Sequence, residues 1–107
     1  MSQTSSGFVT VAKVGEIPPG GVKVVRLDEQ DIAVFNVDGA FYAIDDICTH
    51  DGGPLAEGHL EGCVIECPRH GAKFDVRTGN VVAMPATAPV PTYDVRIEGD
   101  EIKVGWA

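Results

Sequence analysis

Apolar residues in this chain come in short runs, and no segment sustains the 3.6-residue period of an amphipathic helix. Phe8-Val9-Thr10-Val11-Ala12 alternates as a short strand. Val22 to Leu27 and Asp31 to Val37 are rich in β-branched residues and predict two more. Between Phe35-Asn36-Val37 and Ala40-Phe41-Tyr42-Ala43-Ile44 lies Asp38-Gly39, the strongest hairpin signal present, because a two-residue type I′ turn needs φ > 0 at both positions. Tyr93 to Glu98 and Glu101 to Trp106 predict a closing hairpin around Gly99-Asp100. Glu16-Ile17-Pro18-Pro19-Gly20-Gly21 interrupts the pattern, since proline removes amide donors and glycine permits positive φ. The fold class expected is all-β.

The texture changes between residues 45 and 84, where Gly52, Gly53, Pro54, Gly58, Gly62, Gly71 and Gly79 separate short strand-like pieces. Gly62-Cys63-Val64-Ile65-Glu66 predicts a strand feeding Cys67, and Lys73-Phe74-Asp75-Val76 leads into a turn at Arg77-Thr78-Gly79-Asn80. Glycine-rich loops can point amide N–H groups at a bound centre, which regular strands cannot do. The segment from Met84 to Pro91, with Pro85, Pro89 and Pro91, is expected to run extended along the surface.

Candidate chemistry concentrates in the same stretch. Cys48-Thr49-His50 is followed by Cys67-Pro68-Arg69-His70, two clusters each carrying one thiol and one imidazole. A single zinc ion could use two Cys and two His, but zinc modules usually place a Cys pair on one side and a His pair on the other. One Cys and one His per loop suits a [2Fe-2S] cluster with two thiolates on one iron and two imidazoles on the other.

Quoted whole, CTHDGGPLAEGHLEGCVIECPRHGAKFDVRTGNVVAMPA resembles the cluster-binding region of Rieske-type ferredoxins, in particular those serving bacterial aromatic-ring-hydroxylating dioxygenases. The flanking strands are similar too, so the resemblance covers all but about the first six residues. It implies a Rieske fold: three small antiparallel sheets in a β-sandwich framework, with an inserted loop-rich subdomain whose cluster loops lie at one tip. It also implies one [2Fe-2S] cluster held by Cys48, His50, Cys67 and His70. The chain reads as a single domain, 1–107, with the cluster-binding subdomain at about 45–84.

Charge narrows the partners. Eight basic against sixteen acidic residues leave a net charge of −8, which repels nucleic acid and anionic lipid and favours a basic protein surface. No apolar run approaches a membrane span, and Met1 to Gly7 has neither the charged start nor the apolar middle of a secretory signal, so a cytoplasmic location is expected. Three cysteines, two of them needed as thiolates, leave none to pair in a disulfide and fit a reducing compartment.

Other candidates have plainer readings. Cys63 is expected as a small core residue in an apolar strand, and His59 as a solvated loop residue outside the ligand spacing. Asp45, Asp46, Glu57, Glu61 and Glu66 read as a solvated face that could steer a partner. Tyr93 and Trp106 read as core or hairpin packing.

Two ferric ions, two sulfides and two thiolates sum to zero charge, so a cluster with imidazole ligands accepts an electron more readily than one with four thiolates. Rieske centres accordingly span about −150 to +300 mV, against about −400 mV for plant-type ferredoxins. Within the family, respiratory members carry a disulfide at positions matching Gly53 and Arg69, and hydroxyl donors at positions matching Ala72 and Phe74. This chain has neither, and resembles the soluble, low-potential branch. The function implied is a monomeric, non-enzymatic electron carrier. It would take single electrons from an NAD(P)H-dependent flavoprotein reductase and pass them to a terminal oxygenase. Thirty-seven residues after His70 leave no room for a catalytic iron domain. Alternatives are the small subunit of a nitrite reductase, a ferredoxin of another pathway, and a structural zinc module.

Overall fold

The structure is a computed structural model that describes residues 7–48, 53–69, 71–84 and 86–106. Its strands are β1 (Val9–Lys13), β2 (Val22–Leu27), β3 (Gln30–Val37), β4 (Ala40–Asp45), β5 (His59–Glu61), β6 (Val64–Glu66), β7 (Lys73–Asp75), β8 (Val81–Ala83), β9 (Thr92–Glu98) and β10 (Glu101–Trp106). Two 3₁₀ turns, Val14–Glu16 and Leu55–Glu57, complete the regular structure among the described residues.

Strand β3 is the wall shared by both halves of the molecule. Successive side chains on a strand point to opposite faces, and here both faces are buried: Ile32 and Val34 on one, Ala33 and Phe35 on the other, all fully sequestered. The β3–β4 hairpin turns at Asp38-Gly39 with φ of 52° and 92°, the type I′ geometry that the dipeptide predicts. The β2–β3 turn has the same hand at Asp28 (50°) and Glu29 (67°), where no glycine announces it. Pro18 to Gly21 forms a tight turn, with the Gly21 amide bonded to the Pro18 carbonyl at 2.8 Å and Gly20 at φ 82°. Buried Asn36 ties that turn to the hairpin: its Nδ2 donates to the Ile17 carbonyl (2.8 Å) and its Oδ1 accepts from the Gly39 amide (2.7 Å).

The strands form two antiparallel sheets. One has six strands in the order β1-β10-β9-β4-β3-β2, and the other four, β5-β6-β7-β8. Three small sheets were the expectation. The difference is a seam of two residue pairs, Ala43 with Tyr93 and Ile44 with Thr92, which joins β4 to β9 and merges two three-stranded sheets into one. Across it the Tyr93 hydroxyl donates to Asp45 Oδ1. The merged sheet curls, so that Ala12 of β1 shares a core with Val25 and Leu27 of β2, together with Ile32, Val34 and Ile102. A second core lies between the other face of β3 and β4 and the four-stranded sheet, and joins Phe35 and Ile44 to Ile65 and Phe74.

Three local expectations change. Gly62 and Cys63 are the two turn residues of a β5–β6 hairpin, where Glu61 pairs with Val64 and Gly62 has φ 62°; Cys63 is therefore a half-buried turn residue and not part of the strand. His59 is exposed as expected, but on β5 and not in a loop. The prolyl segment does not simply cover the surface: Met84 is 77% exposed, whereas Ala86 and Val90 are small enough to enter the second core.

Candidate metal centre

Strand β4 ends at Asp45, and the Asp46 amide still bonds to the Asp31 carbonyl (2.9 Å), carrying the framework one residue beyond the ladder. Two residues later Cys48 is buried, 1% exposed, with its amide donating to the Gly53 carbonyl at 2.7 Å. Strand β6 delivers Cys67 in the same way, 2% exposed. Its amide donates to the Ala72 carbonyl (2.7 Å), while its own carbonyl accepts from Gly71 (3.3 Å), whose φ of 81° only glycine adopts readily. Each cysteine thus begins a loop that folds back and bonds to its own start.

Both sulfur-bearing side chains belong to the second core, beside Leu55, Ile65, Ala72 and Phe74. The three cysteines are thiols, with no disulfide between them. His50 and His70 lie outside the described residues. Among the described residues no group of three or more His, Cys, Asp or Glu gathers as a metal site, so Cys48 and Cys67 are the described half of the expected ligand set. The donor chemistry fits an iron–sulfur centre: a thiolate in a water-poor core is costly unless a cation compensates it, and two such groups on paired loops would share one iron.

Contacts that sequence reasoning missed hold these loops in place. Gly58 lies against the end of β6, and a Cβ there would sit 1.8 Å from the Glu66 carbonyl oxygen, directly before Cys67. The first loop is thereby seated on the strand that carries the second cysteine. Gly79, at φ 80°, similarly approaches Val90, whose carbonyl oxygen would be 2.1 Å from an added Cβ; the Val90 amide bonds back to the Gly79 carbonyl at 2.9 Å.

Two acids expected as a solvated face have structural partners instead. Asp45 accepts the Tyr93 hydroxyl, and burial, with Asp45 beside it, pushes the Tyr93 phenol well above its ordinary range. Asp46 Oδ1 accepts the Ala56 amide at 2.7 Å, and burial raises its carboxyl against the opposing pull of that bond. Glu57 and Glu61 are exposed as expected, and Glu66 is half-buried. Around Cys67 opens a groove of about 600 Å³ lined by Glu57, His59, Glu66 and the exposed Arg69.

An almost all-β framework that presents two buried thiols on paired, self-closed loops suits a small iron–sulfur protein. The Rieske [2Fe-2S] domain family matches residues 7–94, and the chain belongs to that family. It is 45% identical, over 94% of its length and 93% of the relative's, to the biphenyl dioxygenase ferredoxin subunit of Pseudomonas sp. strain KKS102. Among solved structures it superposes on the ferredoxin of carbazole 1,9a-dioxygenase from Nocardioides aromaticivorans IC177. That match has a TM-score of 0.91 and 36% identity, and covers 95% of this chain and all of that one. A ferredoxin solved in complex with the oxygenase of carbazole 1,9a-dioxygenase gives a TM-score of 0.88 at 36% identity, covering 94% of each chain.

The cofactor is accordingly one Rieske-type [2Fe-2S] cluster, and the protein is a ferredoxin, an electron carrier and not an oxygenase. Among the described residues no helix is long and apolar enough to cross a membrane.

Proposed function

We propose that this ferredoxin carries single electrons from an NAD(P)H-dependent flavoprotein reductase to a terminal ring-hydroxylating oxygenase, as a cytoplasmic monomer and a single Rieske domain with its cluster-binding subdomain at about 45–84. Cys48 and Cys67 hold one iron of the cluster and His50 and His70 the other. The observation that carries the reading is the near full-length likeness to a dioxygenase ferredoxin subunit, in a chain whose two ligand-type thiols sit buried on paired loops.

A bound Rieske cluster supplies reversible one-electron chemistry. The chain's own contribution is to position and insulate it. Cys48 and Cys67 present thiolates from a core that excludes water, which lowers the local dielectric and magnifies the effect of every nearby charge. Ala72 and Phe74, both fully buried in the same core as Cys67, offer no side-chain hydrogen-bond donor, which keeps the reduced form less stabilised and the potential in the lower half of the Rieske range. The net charge of −8 steers the carrier toward basic partner surfaces.

The test is stopped-flow mixing of the chemically reduced holoprotein with an oxidised biphenyl-type terminal oxygenase. The expected result is second-order oxidation of the ferredoxin matched by reduction of the oxygenase, and NADH-driven turnover once a flavoprotein reductase is added. Transfer to a nitrite reductase but to no ring-hydroxylating oxygenase would overturn the assigned client.

A further inference from the structure

Asp46 stands at the junction between framework and first loop. Its amide is fixed by the Asp31 carbonyl (2.9 Å), at the end of the β3–β4 pairing. Its Oδ1 reaches across the base of the loop to the Ala56 amide (2.7 Å), in the 3₁₀ turn at Leu55–Glu57. Within that span the Cys48 amide bonds to the Gly53 carbonyl, and Leu55 is buried in the same core as Cys48. One carboxylate therefore ties the exit of the loop to its entrance.

An asparagine would offer the same acceptor oxygen at the same place. A carboxylate there is the costlier choice, because it is half-buried. Its charge has a further consequence two residues from Cys48. Reduction of the neighbouring centre adds one negative charge, and a fixed anion nearby disfavours that state.

We propose that Asp46 is a positioning residue for the Cys48 loop, whose carboxylate ties the loop shut and whose charge holds the reduction potential down. The proposal rests on Cys48 being a cluster ligand. Asp46→Asn keeps the acceptor and removes the charge, whereas Asp46→Ala removes both.

The holoproteins are compared by iron and acid-labile sulfide content, midpoint by voltammetry, and the rate at which a chelator strips iron. Asp46→Asn is expected to retain a full cluster and to shift the reduced-to-oxidised equilibrium threefold to tenfold toward reduction, roughly 30–60 mV upward at about 59 mV per tenfold. Asp46→Ala is expected to lose iron to the chelator on the order of tenfold faster than Asp46→Asn, as befits the loss of the loop-closing hydrogen bond that asparagine keeps. A midpoint for Asp46→Asn equal to or below wild type would overturn the charge role, and equal stripping rates for the two variants the tie. Cys48→Ala separates the underlying reading: iron retained in that variant defeats the ligand assignment. Iron lost there, with Asp46→Asn unchanged in potential, defeats this proposal alone.

Discussion

The two sheets are built on different terms. The six-stranded sheet has strands of five to eight residues, and β2 pairs with β3 through six consecutive residues without a break. The four-stranded sheet has strands of three residues each, with the ladder between β7 and β8 shifted in register. Strands so short give each ladder only a few hydrogen bonds. What holds the second sheet is the core it shares with β3 and β4, and a few backbone approaches at Gly58 and Gly79. The framework is stabilised by repetition, and the metal centre by individual contacts, so single substitutions should separate the two.

The widest separation is expected at the ligands. Cys48→Ser, Cys67→Ser, His50→Ala and His70→Ala should each abolish cluster binding, measured as iron and sulfide per chain, while Cys63→Ser, altering a half-buried turn residue, keeps both. Far-UV circular dichroism should show the framework strands retained in all five. Loss of the cluster in Cys63→Ser with the fold intact would contradict the assignment.

Glycine substitutions compare the regions next. Gly58→Ala forces a methyl group into the Glu66 carbonyl, backbone that cannot swing away, and should cost about 3 kcal/mol, the upper end for overpacking. Cluster content should fall with it. Gly99→Ala in the β9–β10 turn meets open space and carries only the strain of φ 62°, about 1 kcal/mol, with cluster content unchanged. Urea denaturation of the two variants gives the ratio, and equal costs would erase the distinction drawn here.

Within the metal centre, Ala72→Ser and Phe74→Tyr introduce donors at buried positions of the core that holds Cys67. If each new bond favours the reduced form by roughly 1–2 kcal/mol, each midpoint should rise by on the order of 40–90 mV, and the double variant further. Voltammetry reads this directly, and a wild-type midpoint well above about +150 mV, in the upper half of the Rieske span, would refute the low-potential reading.

The seam that merges the framework sheets should respond to alkali. Burial, together with the bond to Asp45, raises the Tyr93 phenol in the folded state, so its contribution to stability is full below the ordinary tyrosine value of about 10 and is lost as pH rises above it. Tyr93→Phe should cost about 1 kcal/mol at neutral pH and remove that part of the alkaline loss. Thermal denaturation at pH 8 and 11 tests both.

The smallest effects belong to exposed charge. Pairs such as Lys13–Asp100 and Arg26–Asp31 lie on the framework surface and are worth well under about 1 kcal/mol each. Collectively the acidic surface should still speed docking on a basic partner, so electron delivery slows as the Debye length falls from about 10 Å at 0.1 M salt to about 3 Å at 1 M. A rate constant flat across that range would point to apolar docking.

Alternation, β-branched runs and the Asp38-Gly39 and Gly99-Asp100 dipeptides were enough to place β1 to β4, β9 and β10 within a residue or so, because a long strand and a tight turn are decided by near neighbours in the chain. The resemblance of the stretch from Cys48 to Ala86 to Rieske-type ferredoxins likewise pointed to the family and its cofactor, and the family match agrees with it. Where near neighbours do not decide, the reading failed or was silent. Cys63 looked like strand because apolar residues follow it, yet the pairing of Glu61 with Val64 makes it a turn. Nothing around Asp46 or Gly58 distinguishes them locally; their roles exist because Ala56 and Glu66 come to meet them. Ala86 and Val90 leave the surface because the second core takes them in, and two sheets become one because Asp45 and Tyr93, far apart in the chain, meet across a two-pair seam. Close approaches between distant segments are set by packing the whole chain at once, and only the tertiary structure could decide them.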